Sequence, residues 1–179
     1  DRAVTDTQVL MRAMQYAATF GYAVWLQPED IHLARNGVAH EGEVASRLGL
    51  AGIPSAAEVV ALATHIELAR VTGARLHVCR VSAAESVAMI RDAKARGIAV
   101  TADVSINHLH LIDIDIGHYD SNFRLSPPLR TARDRDALRA GVIDGTIDAV
   151  VSDHTPRPDD AKQLPFGEAA PGATGLEML

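Results

Sequence analysis

Apolar residues recur at helical spacing from Thr5 to Phe20. Val9, Leu10, Ala13, Met14, Ala17 and Ala18 share one face there, Thr5 or Asp6 can serve as N-cap, and Gly21 stops the run. Tyr22 to Gln27 is then a short apolar stretch ended by Pro28, which predicts a buried strand. A polar segment from Glu29 to Gly42 contains the turn signal Asn36-Gly37. His40 to Leu48 predicts a short helix. A longer one runs from Ala56 to Val71, with Pro54 near its first turn and Gly73 just past its end.

The second half repeats this rhythm. Arg75 to Arg80 predicts a strand, Ala83 to Arg96 an amphipathic helix stopped by Gly97, and Ile98 to Val104 a third strand. Asn107 to Ile116 is a short helix or irregular loop, and Gly117 to Arg130 a polar loop with Pro127-Pro128. Ala132 to Ile143 is a helix, and Ile147 to Ser152 a fourth strand. A Pro/Gly/Asp-rich segment follows from Asp153 to Gly175. Strands that alternate with helices imply parallel pairing through crossovers. An open doubly wound sheet and part of a (β/α)8 barrel both fit. A complete barrel needs eight strands and about 250 residues, and this chain predicts half that number of strands. No Gly-rich phosphate loop follows any strand, which weakens the nucleotide-binding form of the open sheet.

Composition narrows the classes. The chain has 179 residues and a net charge of −6, which argues against a general affinity for nucleic acid. A single cysteine, Cys79, rules out an internal disulfide and is compatible with a reducing compartment, so a cytoplasmic protein is expected. No apolar run is long enough to span a bilayer. Asp1-Arg2-Ala3-Val4 reads as no signal peptide and lacks an initiator Met, and Thr174 to Leu179 looks like a helix cut off as it begins. Both ends are those expected of a piece of a longer protein.

In parallel α/β folds the site gathers at the C-terminal ends of the strands. Those ends carry Gln27, Arg80, Val104 to Asn107, and Asp153-His154. Asp153 suits a metal ligand or a base, and a long loop follows it; it equally suits a turn cap. The eight histidines form no metal motif by spacing. His108 and His110 read as surface or second-layer groups. His77 and Cys79 should face one side of their strand, His77 as a hydrogen-bonded core histidine and Cys79 as a small apolar residue. His32, His40, His65 and His118 fall on helix surfaces or loops.

Several segments together resemble one family. Asp153-His154-Thr155-Pro156-Arg157, Lys162, Pro165-Phe166 and Pro171 to Glu177 resemble the dihydroorotase signature near the last barrel strand, D-H-A-P-H with a following Lys and a P-F-G-x-x-G-x-E segment. Tyr119 to Arg130, ending Ser126-Pro127-Pro128-Leu129-Arg130, is similar to the substrate loop ending N-P-P-L-R. Leu76 to Ser82 is similar to the sixth-strand segment ending H-V-S-T, and Leu26 to Asp30 to the fifth-strand H-x-E-D. Leu48 to Pro54 with Glu58 matches the stretch after it. Dihydropyrimidinases and allantoinases share the barrel and the loop, and Ser126 is closer to the dihydropyrimidinase form.

The resemblance implies an α/β fold, about strands five to eight of a TIM-type amidohydrolase barrel, with residues 1–179 as its C-terminal half and the N-terminal half absent. It implies a role in pyrimidine biosynthesis, the interconversion of dihydroorotate and N-carbamoyl-L-aspartate, by a zinc-bound hydroxide with the strand-eight aspartate, here Asp153, as catalytic proton shuttle and metal ligand. It implies substrate contacts at Ser126, Arg157, Pro171 and Gly172. The departures fall on the same site. The fifth-strand metal histidine is Gln27 and the sixth-strand one is Arg80, which has no lone pair to donate. The substrate histidine is Arg157 and the substrate asparagine is Ser126. These losses predict a degenerate dihydroorotase whose zinc is absent or incomplete, with Arg80 paired to Asp153 where the metal would stand. Such subunits are expected to scaffold aspartate carbamoyltransferase or to self-associate. The competing expectations are an active zinc enzyme completed by an N-terminal half, and a small-molecule pocket in which Arg80, Arg124 and Arg157 hold a carboxylate. The chain alone is expected to be inactive.

Overall fold

The Asp6 carboxylate opens the first helix by accepting from the backbone N–H groups of Gln8 and Val9 at 2.8 and 3.2 Å, which fixes α1 at Thr7–Thr19. This computed structural model describes residues 4–179; Asp1 to Ala3, part of the stretch read for a leader, lie outside the described residues. After α1 come β1 (Ala23–Leu26), β2 (Ala39–His40), α2 (Glu43–Leu48), β3 (Gly52–Ile53) and α3 (Ser55–Thr72). Gly73 closes α3 at φ 71°, a left-handed conformation that glycine adopts without a Cβ penalty. Next are β4 (Arg75–Val78), α4 (Ala84–Ala95), β5 (Val100–Ser105), α5 (Ile106–His110), α6 (Ala132–Ile143), β6 (Ala149–Val151) and α7 (Asp159–Lys162).

β1, β4, β5 and β6 form one parallel sheet in that order, so chain order and spatial order agree. Successive side chains alternate across it. Val24, Leu26, Leu76, Val78, Val100, Ala102, Val104 and Val150 pack on the helical layer, with Met14, Leu62, Ile66, Val87, Ile90 and Leu138 from the helices. α1 packs on α3, α3 on α4, and α4 on α6. Gly141 permits the last contact, since a Cβ there would stand 2.9 Å from Val87 Cγ1. The other face of the sheet carries Trp25, His77, Thr101 and Asp103 in adjacent strands.

Three expectations change. The first strand is not buried: Trp25 is 68% exposed, on the face away from the helices and on an edge strand of the sheet. His40 belongs to β2 rather than to the helix ending at Leu48. β2 and β3 form a separate parallel pair, Ala39 opposite Gly52 and His40 opposite Ile53, and two-residue strands are too short to leave a periodic signal.

Candidate functional site

Gln27, Arg80 and Asp153 each follow the C-terminal end of a strand of the parallel sheet, and the common strand direction brings them together. Arg80 Nη1 stands 3.2 Å from Asp153 Oδ1 and donates to the Ser126 carbonyl at 3.3 Å, while Nη2 donates to Gln27 Oε1. Asp153 is the more enclosed partner, its side chain 14% exposed against 33% for Arg80. Both residues hold left-handed backbone, φ 54° at Arg80 and φ 46° at Asp153, a conformation that non-glycine residues rarely adopt. The Asp153 side chain accepts from Arg80 rather than capping the following turn; it is the Asp153 carbonyl that accepts from Thr155 Oγ1, at 2.9 Å.

Beneath this pair, the inner face of the sheet holds a hydrogen-bonded chain. His77 Nδ1 meets Thr101 Oγ1 at 2.8 Å and His77 Nε2 meets Asp103 Oδ2 at 2.9 Å. Asp103 Oδ1 accepts from the Arg80 backbone N–H at 2.7 Å, so this chain clamps the strained residue above it. The Trp25 ring lies on His77, centroids 4.3 Å apart. Cys79 faces the same cluster, as its spacing from His77 predicts, and is half-buried rather than a sealed core residue. Burial and the Asp103 carboxylate push its thiol pKa up.

A buried ionic frame supports the strand ends from outside. Glu58 of α3 is 3% exposed and accepts from Ser82 N and Ala83 N, both at 3.1 Å, and from Ser82 Oγ. Arg130 lies 3.8 Å from it and donates to Ser82 Oγ, the Ile53 carbonyl and His40 Nδ1 at 3.1, 2.9 and 3.1 Å. His40 is therefore a tie between β2 and the proline loop, not a surface group. Burial, then the Arg130 charge, lower its pKa. His65 is likewise largely enclosed, with burial lowering its pKa to about 4. His108 is 2% exposed, meets the Pro128 carbonyl at 3.2 Å through Nε2, and is pushed down to about 4 by burial.

The remaining predicted contacts divide. Ser126 offers its carbonyl to Arg80. Arg157 Nε donates to the Pro171 carbonyl at 2.7 Å, and Gly172 N donates to the Arg124 carbonyl at 2.8 Å. Gly172 holds φ 136°, and a Cβ there would lie 2.5 Å from the Thr155 carbonyl and 3.1 Å from Arg157 Nε. Arg80, Arg124 and Arg157 do not converge on one carboxylate: Arg80 is engaged by Asp153, and Arg124 Nη1 reaches back to the Val38 carbonyl at 3.0 Å.

The residues at the resemblance's metal positions do not fit a metal ion. Gln27 and Asp153 are both bonded to the Arg80 guanidinium, which brings positive charge and no lone pair. One group of three potential metal-ligating side chains exists among the described residues, His77, Cys79 and Asp103, with donor atoms within 4.8 Å of one another. Both ring nitrogens of His77 and both oxygens of Asp103 are already hydrogen-bonded. Reading residues of β4 and β5 with a period of two would have found Asp103; reading strand ends alone missed it. No helix among the described residues is long and apolar enough to cross a membrane.

A family model described as Dihydro-orotase-like matches residues 1–86. A dihydroorotase of Anaeromyxobacter sp. (strain K) is 47% identical over 178 residues, spanning 98% of this chain and 41% of that protein. A dihydroorotase-like protein of Pseudomonas putida is 43% identical over 99% of this chain and 42% of its own length. The chain thus spans about two-fifths of the length of the relatives it matches. Among solved structures, the L-hydantoinase (dihydropyrimidinase) of Arthrobacter aurescens superposes with TM-score 0.81 at 24% identity, over 98% of this chain and 40% of that one. The dihydroorotase of Saccharomyces cerevisiae, in complex with 5-fluoroorotic acid, gives 0.65 at 20% identity, over 92% of this chain and 43% of that one. The fold is therefore part of a (β/α)8 barrel, with the parallel strand order that such a barrel requires. In sequence the chain is similar to proteins named dihydroorotase and dihydroorotase-like protein, over about two-fifths of their length.

Proposed function

We propose that this chain forms strands five to eight of a dihydroorotase-like barrel in which an ion pair has replaced the metal. The observation that carries the reading is the Arg80–Asp153 contact of 3.2 Å. It places a permanent cation beside the aspartate that the family resemblance assigns to proton transfer. The guanidinium also occupies Asp153 Oδ1, an oxygen that proton transfer or a metal would use. A polypeptide of this kind is catalytically impaired toward dihydroorotate and carbamoyl aspartate. Its retained barrel then serves as a cytoplasmic scaffold for aspartate carbamoyltransferase. Metal analysis of the intact protein, with a dihydroorotate hydrolysis assay, tests the first part, and co-purification with the transcarbamoylase tests the second. Stoichiometric zinc with clear turnover would sink the reading.

A second reading is an active zinc dihydroorotase, or another cyclic amidohydrolase such as a dihydropyrimidinase, completed by residues outside this chain. The donor types of His77, Cys79 and Asp103 favour it, since nitrogen, sulfur and carboxylate oxygen all suit zinc. The same metal analysis separates the two: zinc lost in Cys79→Ser or His77→Gln supports this reading.

A further inference from the structure

β2, α2 and β3 form a small unit apart from the main sheet, with a core of its own. Ala39 and Ala45 pack there with Ile116 and Phe166, which come from the loops beyond β5 and β6. None of these residues belongs to the core under the parallel sheet. A unit with few buried apolar residues opens at lower cost than the main core.

One loop fastens this unit. Tyr119 Oη donates to the Leu48 carbonyl at 2.7 Å, and Arg124 Nη1 to the Val38 carbonyl at 3.0 Å. Arg130 Nη1 donates to the Ile53 carbonyl at 2.9 Å and to His40 Nδ1 at 3.1 Å. Ser126, on the same loop, offers its carbonyl to Arg80.

The first three bonds end on backbone carbonyls and do not titrate near neutral pH. The fourth does. A guanidinium has donors only, so His40 Nδ1 must accept, and only a neutral ring has that lone pair. A proton on Nδ1 removes the acceptor and sets an imidazolium against Arg130. Arg130 has little room to withdraw: it is 3% exposed, donates to Ser82 Oγ at 3.1 Å and faces Glu58 at 3.8 Å. The other charges facing the ring are Asp134 of α6, Asp113 ahead of the loop and the adjacent Glu41, and all three favour its protonation. Burial and Arg130 outweigh them and lower its pKa.

We propose that His40 is a pH latch: when neutral it fastens the β2–α2–β3 unit to the proline loop, and when protonated it releases that unit. Opening exposes the ring to water and returns it to the ordinary imidazole value near 6.5. Below about that pH the open form takes up the proton more readily than the closed one, so opening grows as pH falls. Above it the latch is at full strength. The released loop is the one that holds the Arg80 guanidinium through Ser126. The proposal goes beyond the dihydroorotase-like reading and does not depend on it, because it rests on no metal and no substrate.

The test is amide hydrogen exchange of the intact protein from pH 7.5 to 5.5, corrected for intrinsic exchange. Val38 and Glu41 report on the unit, since their N–H groups donate to the Ala51 and Ile53 carbonyls. Their protection should fall several-fold over this range, at most about tenfold for one histidine titrating one unit below 6.5. His40→Gln keeps an amide oxygen for Arg130 and has no proton to gain, so it should remove this fall. If glutamine holds the unit less well, protection drops at every pH but stays level, which still supports the latch. His108, which meets Pro128 on the same loop, titrates in both proteins, so the difference between them isolates His40. Level protection in the parent would overturn the proposal. So would parallel falls in parent and variant.

Discussion

The Arg80 guanidinium lies 3.2 Å from the Asp153 carboxylate, and both residues hold left-handed backbone. Two strained residues facing each other across β4 and β6 persist only when surrounding contacts over-determine them. Here the Asp103 carboxylate fixes Arg80 N, and the Gln27 side chain and Ser126 carbonyl fix the guanidinium. Arg80→Met should therefore leave Asp153 without its counter-charge. The pair is partly exposed, so a cost of about 1–2 kcal/mol is expected, between surface and buried ion pairs. Adding Asp153→Asn should restore part of that loss. A urea double-mutant cycle reads the coupling, and additive single effects would contradict it.

The same geometry predicts how a metal site could be rebuilt. Gln27 and Arg80 follow the ends of adjacent strands, and Asp153 already meets the Arg80 side chain. Gln27→His with Arg80→His would supply two imidazoles beside one carboxylate, a donor set that suits zinc. The double variant should bind zinc at least about tenfold more tightly than the parent, a factor equal to ~1.4 kcal/mol. Equilibrium dialysis against a competing chelator measures this without reference to turnover. Equal zinc affinity in parent and variant would count against the ion-pair replacement.

Glu58 is the second place where charge is enclosed. It neutralises Arg130 and satisfies two backbone N–H groups where α4 begins, so its loss leaves a buried cation and unpaired donors at once. Glu58→Leu should cost about 3–5 kcal/mol in urea unfolding, as for other buried pairs broken on one side. Glu58→Gln should cost less, because its amide oxygen still accepts. A loss below about 1 kcal/mol for the leucine variant would mean that Arg130 is held by its other partners.

How far the sequence leads can be judged from particular residues. The helices and the four sheet strands follow from periodicity and glycine stops: α6 runs from Ala132 to Ile143 as its pattern predicts. Arg80 beside Asp153 was legible because strand ends in a parallel sheet share one edge. Asp103 was missed because an acid inside an apolar strand gives no motif; only its register with His77 reveals a role. His40 was misplaced for a different reason. Its partner Arg130 lies ninety residues away, and no local pattern encodes a tertiary hydrogen bond.

Acid should destabilise this protein well before its carboxylates protonate. Burial holds His65 and His108 at pKa values of about 4, so both imidazoles are neutral in the folded state at neutral pH. In the unfolded chain they take up protons near pH 6.5. Between those values the unfolded state binds more protons, so stability falls as pH falls. The contribution is complete above about pH 6.5 and is lost by about pH 4. For His108 the gap between 6.5 and about 4 corresponds to an upper bound of ~3 kcal/mol. His108→Gln keeps an amide donor for the Pro128 carbonyl and removes the titration. Unfolding free energies measured from pH 7.5 to 4.5 should therefore drop less steeply in the variant than in the parent. Parallel curves would show that His108 is already protonated in the folded state, and that the Asp153 charge near it outweighs burial.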